Sequence, residues 1–224
     1  MKAMILAAGR GERMRPLTAQ IPKPLVSVRN TTLIDHALQQ IRKAGIQDVV
    51  INVHHLGDQI IKHCGDGASY GLHIQYSVEP ELLDTGGGIY RALPLLGASP
   101  FIVLSADVWT DFPLATLTQK HVDCAHIVLV KNPDFHPNGD FGLDAEGIVH
   151  NRAPQQFTYA NIALLHPNLF QHTTETVFPL SRPLRYFIEK ESVTGELYSG
   201  EWHNIGTMEQ LEKVITDTDT DKDH

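Results

Sequence analysis

The sequence predicts an α/β protein: a Rossmann-like, mixed but mostly parallel sheet flanked by helices, in a single domain. Three observations carry that prediction. Short, predominantly apolar runs recur at 3–8, 49–53 and 101–104, which is the pattern of buried strands. Between the first two lies an amphipathic stretch, so strand, helix and strand follow in the order of a right-handed parallel crossover. At 224 residues, of which 42% are hydrophobic, the chain can fill one large core.

The first run breaks into a small-residue turn holding Gly9 and Gly11, so the carboxyl end of a strand opens onto a loop. Glycines let backbone approach a ligand closely, and successive free N–H groups there form an anion-binding concavity. Arg10, Arg13, Arg15 and Lys23 follow, which suits a polyphosphate and makes the stretch a nucleotide-handling candidate. Thr32, with Asp35 three residues later, resembles a capping box with Asp in place of the usual Glu. Leu33, Ile34, Ala37, Leu38, Ile41 and Ala44 then share one helix face until Gly45 ends it. Residues 49–53 are expected as the second parallel strand, 56–64 as a shorter helix and 72–77 as a third strand.

Thr85-Gly86-Gly87-Gly88 precedes a helix expected over 89–96 and reads either as glycines opening it, with N–H groups and a positive dipole end exposed, or as a flexible turn. The strand at 101–104 ends at Ser105-Ala106-Asp107. Ligands of open α/β sheets gather outside the carboxyl ends of strands. An acid there can hold magnesium, which takes one or two carboxylates plus phosphate oxygens. Further on, a helix is expected at 114–121, a strand at 126–130, a loop at 132–140 and a hairpin over 141–149 turning near 144–147. A strand at 157–165, a mostly helical 178–191 and a last helix at 208–215 complete the domain, 1–215. The end, 216–224, has almost no apolar residue and reads as an acidic, flexible tail.

Composition excludes several classes. A net charge of −8 argues against a nucleic-acid partner, since such proteins carry a basic face. No run approaches the ~18 apolar residues of a membrane span, and 3–8 is too short for a signal peptide. Cys64 and Cys124 lie far apart without a C-x-x-C, against a disulfide framework or a zinc site. A cytoplasmic protein is expected. The 13 histidines are scattered, His54-His55 being the only adjacent pair, and most read as surface or helix-end residues. A P-loop, G-x-x-x-x-G-K-[ST], does not occur, and the dinucleotide pattern G-x-G-x-x-G fails because Met14 stands at its third glycine.

What remains is specific. Leu6-Ala7-Ala8-Gly9-x-Gly11-x-Arg13-Met14-x-Pro16-Leu17-Thr18 followed by Pro22-Lys23-Pro24-Leu25 resembles the signature of the sugar-1-phosphate nucleotidyltransferases. Thr85-Gly86-Gly87-Gly88, Asp107 and Trp202-x-x-Ile205-Gly206-Thr207 agree with it. The compact length, Leu93-Pro94-Leu95-Leu96-Gly97, Asp107-Val108-Trp109-Thr110-Asp111 and Gly139-Asp140-Phe141 are similar to the bacterial N-acetylmuramate 1-phosphate uridylyltransferases of peptidoglycan recycling. Guanylyltransferases for mannose 1-phosphate and uridylyl- or thymidylyltransferases for glucose 1-phosphate share most of these motifs.

The resemblance implies a GT-A-like fold and transfer of a nucleoside monophosphate from a triphosphate, UTP favoured, to a sugar 1-phosphate, with Mg2+ and release of pyrophosphate. It implies that Arg15 grips the pyrophosphate, that Lys23 meets the α-phosphate or the incoming phosphate, and that Asp107 completes the catalytic set. Leu6, Ala7, Ala8, Gly9, Gly11 and Arg13, with Glu79 and Gly87 across the base, would hold the nucleotide. Asp140 and Asn161 would meet the sugar. Asp107 and Asn204 would hold the metal, in a monomer or small homo-oligomer with no membrane or nucleic-acid partner.

Two positions depart from the family pattern. Ala106 stands where Gly is usual, and Asn204 where Asp is usual. At an effective dielectric of ~20, a unit charge ~2–4 Å from the ion matters by several kcal/mol before desolvation. These departures motivate an alternative of another class, a nucleotide-binding pseudoenzyme that senses or scaffolds.

Overall fold

Alternation along the central strands sorts apolar side chains onto two faces of one sheet. The computed structural model describes residues 1–216. Its strands are β1 (Lys2–Leu6), β2 (Ser27–Val28), β3 (Thr31–Thr32), β4 (Asp48–Val53), β5 (His73–Val78), β6 (Phe101–Ser105), β7 (Val108–Thr110), β8 (Ala125–Val130), β9 (Gly142–Leu143), β10 (Val149–His150), β11 (Thr158–Leu165), β12 (Val193–Tyr198) and β13 (Trp202–Asn204). The helices are α1 (Leu33–Lys43), α2 (Gly57–Cys64), α3 (Asp84–Leu96), α4 (Ser181–Ile188) and α5 (Met208–Thr216).

Seven strands form the main sheet in the order β12-β8-β11-β6-β1-β4-β5. β1 runs parallel to β4 and β6, β4 to β5, and β8 to β12. β11 is antiparallel to both its neighbours, so it is the one reversed strand of the main sheet. Ala3, Ile5, Val49, Ile51, Ile102 and Leu104 share a core with Ile34, Leu38 and Ile41 of α1 and Ile60 of α2. Met4, Val50, Phe101 and Val103 join the opposite core with Ile89 and Ala92 of α3 and Leu184 and Phe187 of α4. Three layers result, each buried aliphatic side chain worth about 1.5–3 kcal/mol of transfer free energy.

Local chemistry explains the ends. Thr32 caps α1 by accepting the Asp35 N–H at 3.2 Å. Asp35 does not close the box; its Oδ1 accepts from the Tyr70 hydroxyl at 2.6 Å and meets His63 Nε2 at 2.8 Å, tying α1 to α2 and the turn beyond. Gly45 follows α1 with φ 79°, a conformation glycine adopts without a Cβ penalty. The hairpin at β9–β10 turns through Gly147, whose N–H meets the Asp144 carbonyl at 3.2 Å.

Several expectations are corrected. Gly86, Gly87 and Gly88 do not precede α3 as a turn; they lie inside its first turns and are buried. A Cβ on Gly86 would stand 2.5 Å from the Phe178 ring, and one on Gly87 2.2 Å from the Thr176 carbonyl oxygen. Close packing against the segment before α4 therefore overrides the low helix propensity of glycine. The helix expected at 114–121 is a 3-10 helix, Leu114–Gln119. Helix within 178–191 is confined to α4, and the strands β7, β12 and β13 add pairings that apolar patterning does not announce. His126 is not a surface residue: it is buried on β8, with Nδ1 2.8 Å from Thr194 Oγ1 and Nε2 3.1 Å from Glu196. Apart from Thr216, the expected tail at 216–224 lies outside the described residues.

Gly87→Ala is expected to destabilise the protein by about 1–3 kcal/mol, the usual cost of overpacking, because a backbone oxygen cannot swing aside. Chemical denaturation checks this.

Candidate active site

The carboxyl ends of β4, β1 and β6 stand level, since Leu6 is paired with Asn52 on one side and Ser105 on the other. The residues that leave those ends line a cleft of ≈ 680 Å³. Leu6, Ala7, Ala8, Gly9, Gly11, Arg13 and Lys23 form its floor and near side. Ser105, Ala106, Asp107 and Gly206 form another wall, and Glu79, Leu82, Asp84, Thr85 and Val177 the far one.

The glycine loop has the form of an anion site. Among the described residues no protein acceptor meets the N–H of Ala8, Gly9, Arg10 or Gly11. Gly11 has φ 62°, and a Cβ there would lie 2.9 Å from Thr18 Cγ2. Its carbonyl accepts from the Met14 N–H at 2.9 Å and from the Thr18 hydroxyl at 2.7 Å, which ties the loop back on itself. At Gly9 a Cβ would meet nothing within 4 Å, so packing does not require glycine there.

Lys23 and Asp107 form an ion pair inside the cleft. The Lys23 ammonium donates to Asp107 Oδ2, with side chains only 11% and 23% exposed. Ser105 Oγ donates to the other oxygen, Oδ1, at 2.6 Å. Ala106 is buried in the core beneath the cleft, and its N–H donates to the Leu6 carbonyl at 3.0 Å. Arg13 crosses to the carboxy-terminal motif, since a Cβ on Gly206 would lie 2.6 Å from its Nη2.

The second metal candidate sits on a two-stranded ribbon. β13 pairs with β7, placing Asn204 opposite Val108, and the Ile205 N–H donates to the Asp107 carbonyl at 2.9 Å. Among the described residues, Asn204 Oδ1 is the one buried side-chain polar atom without a hydrogen-bond partner. A buried acceptor with no donor is costly unless a ligand meets it. Asn204 is not among the residues that line the cleft, but an amide oxygen and a carboxylate carried on adjoining backbone are donors of the kind a hard divalent cation takes. The residues present therefore fit magnesium.

Other sequence candidates fall elsewhere. Arg15 is exposed outside the cleft lining. Gly87 is buried behind the far wall, its N–H donating to the Phe178 carbonyl at 3.0 Å rather than facing the cleft. Glu79 reaches the lining, but its oxygens accept from Asn52 Nδ2 at 2.6 Å and from the Leu83 N–H at 3.2 Å. Asp140 Oδ2 accepts the Tyr159 N–H at 2.9 Å, and Oδ1 stands 3.1 Å from His136 Nε2, so its carboxylate anchors the start of β11. Asn161 has φ 57° within the register shift of β11, just before Ile162, which pairs with Leu104.

Sequence reasoning missed Ser105 and Asn52. Asn52 is a polar residue inside an otherwise apolar run, and that oddity was the available signal. It also missed the work of the adjacent histidines. His54 Nδ1 stands 2.9 Å from the Glu79 carbonyl and His55 Nε2 3.1 Å from the Thr18 carbonyl, so both brace backbone around the cleft.

The chain is similar to known proteins over most of its length. The model of the nucleotidyl transferase family matches residues 2–158. An N-acetylmuramate alpha-1-phosphate uridylyltransferase of Neisseria meningitidis serogroup B is 41% identical over 224 residues, covering 96% of each chain. One from Caulobacter vibrioides is 31% identical over 220 residues, covering 91% of each. A solved structure, a putative glucose-1-phosphate thymidylyltransferase from Bacillus anthracis, superposes with a TM-score of 0.81 at 21% identity over 96% of this chain and 94% of that one. With the family model matched over more than half of the chain and two relatives above 30% identity end to end, the chain belongs to the nucleotidyl transferase family.

Proposed function

We propose that this protein is a uridylyltransferase that joins UTP to N-acetylmuramate 1-phosphate, releasing pyrophosphate and forming a UDP-sugar for cell-wall recycling. The end-to-end likeness to the meningococcal uridylyltransferase carries the substrate reading. An oxygen of the sugar phosphate attacks the α-phosphorus of UTP, and the bond to the β-phosphate breaks, its electron pair leaving on pyrophosphate. Both reactants are anions, so catalysis requires alignment and charge stabilisation more than a protein nucleophile.

The unpaired N–H groups from Ala8 to Gly11 offer neutral donors to the donor phosphates, and Leu6 and Ala7 form the floor beneath the nucleoside. Arg13 and Arg15 supply guanidinium forks, Arg15 reaching in from the rim toward the pyrophosphate. Lys23 exchanges part of its contact with Asp107 for the α-phosphate or the incoming phosphate. Asp107 and Asn204 would hold magnesium, which when bound neutralises phosphate charge. Asn161, next to the Asp107 strand end, and Asp140 orient the sugar. The catalytic domain spans 1–215, works in the cytoplasm as a monomer or small homo-oligomer, and needs no membrane or nucleic acid.

A panel of four nucleoside triphosphates against N-acetylmuramate, N-acetylglucosamine, glucose and mannose 1-phosphates, read by pyrophosphate release, tests the assignment. UTP with N-acetylmuramate 1-phosphate is expected to be fastest. Preference for GTP with mannose 1-phosphate would overturn the substrates, and UTP binding without any turnover would favour the sensing alternative.

Gly9→Ala separates ligand space from folding. Its unfolding midpoint is expected to match wild type while KM for UTP rises about tenfold, the equivalent of one phosphate hydrogen bond to a charged group. Asn204→Asp is expected to lower the magnesium concentration for half-maximal activity by about tenfold, because a formal charge joins the site. Titration of magnesium at saturating substrates reads it, and an unchanged requirement would remove Asn204 from the metal site.

A further inference from the structure

Asn52 and Glu79 are each only 3% exposed, an uncommon position for a carboxylate. Burial pushes the Glu79 carboxyl above its usual range, and bonds from Asn52 and the Leu83 N–H oppose that shift. An ionised carboxylate can only accept. It therefore turns Asn52 Nδ2 toward itself, 2.6 Å from Oε1, and leaves Asn52 Oδ1 to accept the Ala7 N–H at 2.8 Å. Glu79 Oε2 accepts the Leu83 N–H at 3.2 Å. One chain of hydrogen bonds thus runs from Ala7, where the glycine loop begins, to Leu83, which caps α3.

The two ends of that chain are the two walls of the cleft. Ala7 and Ala8 lie on the near side, and Leu82, Asp84 and Thr85 on the far side. The α3 backbone rests on the pair, since a Cβ on Gly88 would lie 2.6 Å from Glu79 Oε1 and 2.7 Å from Asn52 Nδ2. The other charged or titratable groups facing Glu79 are His54, on its own carbonyl, and Arg91 of α3.

We propose that Asn52 is a positioning residue for the nucleoside triphosphate: with Glu79 as its acceptor, it sets the distance between the glycine loop and the start of α3. By taking the Ala7 N–H it also makes Ala8 the first loop donor open to a phosphate. This rests on the nucleotide reading above. The polarity of the amide, not its volume, is what the role needs.

The test measures UTP binding by calorimetry, KM for UTP and for the sugar phosphate, and the unfolding midpoint. In Asn52→Asp two carboxylates face each other and stay together only while they share a proton. Relative to wild type at each pH, which cancels His54, its UTP affinity is expected to be near normal at about pH 6. It should be about tenfold weaker at about pH 9, as the shared proton leaves. The double variant Asn52→Asp/Glu79→Gln reverses the bond: the introduced glutamine donates to the introduced aspartate and accepts from Leu83, which should restore affinity at every pH. Asn52→Leu should raise KM for UTP about tenfold and leave that for the sugar phosphate within about twofold.

An Asn52→Asp profile that tracks wild type, or a double variant no better than the single, would overturn the role. So would equal losses for both substrates in Asn52→Leu alongside a lowered midpoint. Should Asn52→Leu not fold, the isosteric pair decides alone. A wild type that binds no nucleoside triphosphate would overturn the nucleotide reading itself, whereas normal binding by every variant would overturn only the positioning role.

Discussion

Leu6 is hydrogen-bonded in register between Asn52 and Ser105, and the cleft depends on that pairing. Because the three strands are parallel and end level, the loop after β1, the amide of Asn52 and the turn from Ser105 to Asp107 emerge at one edge. A slip of one residue would exchange the faces of every side chain on β1, moving Ala3 and Ile5 out of one core and Met4 out of the other. Alternate burial on both faces therefore locks the register, and the register delivers the site. Hydrophobic packing positions the chemistry here without touching it.

The same arrangement shows what could be read in the sequence and what could not. Apolar runs and the Thr32 cap are local signals, and β1, β4, β6 and α1 were legible from them. That the glycine loop, Lys23 and Asp107 would meet at one strand-end cleft was legible too, because the loop and the aspartate each follow an apolar strand run. Gly86 to Gly88 misled, since glycines in isolation favour a turn, and the contacts that make them helical come from Thr176 and Phe178, far away in the chain. β12 carries Gly195 and Glu196 and so lacks a continuous apolar run, while β7 and β13 are only 3 residues each. Their pairing with one another is a long-range fact with no periodic trace. Asn52 was hidden for the opposite reason: its neighbours were so apolar that the strand absorbed it.

Electrostatics fit this division. A chain of net charge −8 must attract a polyphosphate locally rather than by its overall field. Unpaired backbone N–H groups, as from Ala8 to Gly11, are suited to that without adding cations that would need partners in the absence of ligand. Of the cations that line the cleft, Lys23 is already neutralised by Asp107, so neither stands in the half-buried site as an unpaired charge.

The pair also gives a physical reason for the unusual amide at position 204. Asn204 lies on the ribbon whose next N–H holds the Asp107 carbonyl, so it and Asp107 occupy neighbouring places in one ladder. A carboxylate at 204 would add a second, half-buried negative charge to the ribbon that holds Asp107, whose one ammonium partner is Lys23, and like charges at close range raise each other's cost of ionisation. An amide keeps an oxygen available at that position for about 1–3 kcal/mol of unsatisfied desolvation, less than an unpaired buried charge costs. Under the proposed metal role, the exchange would lower the attraction for a divalent cation and the like-charge repulsion along the ribbon together, so one atom would set both.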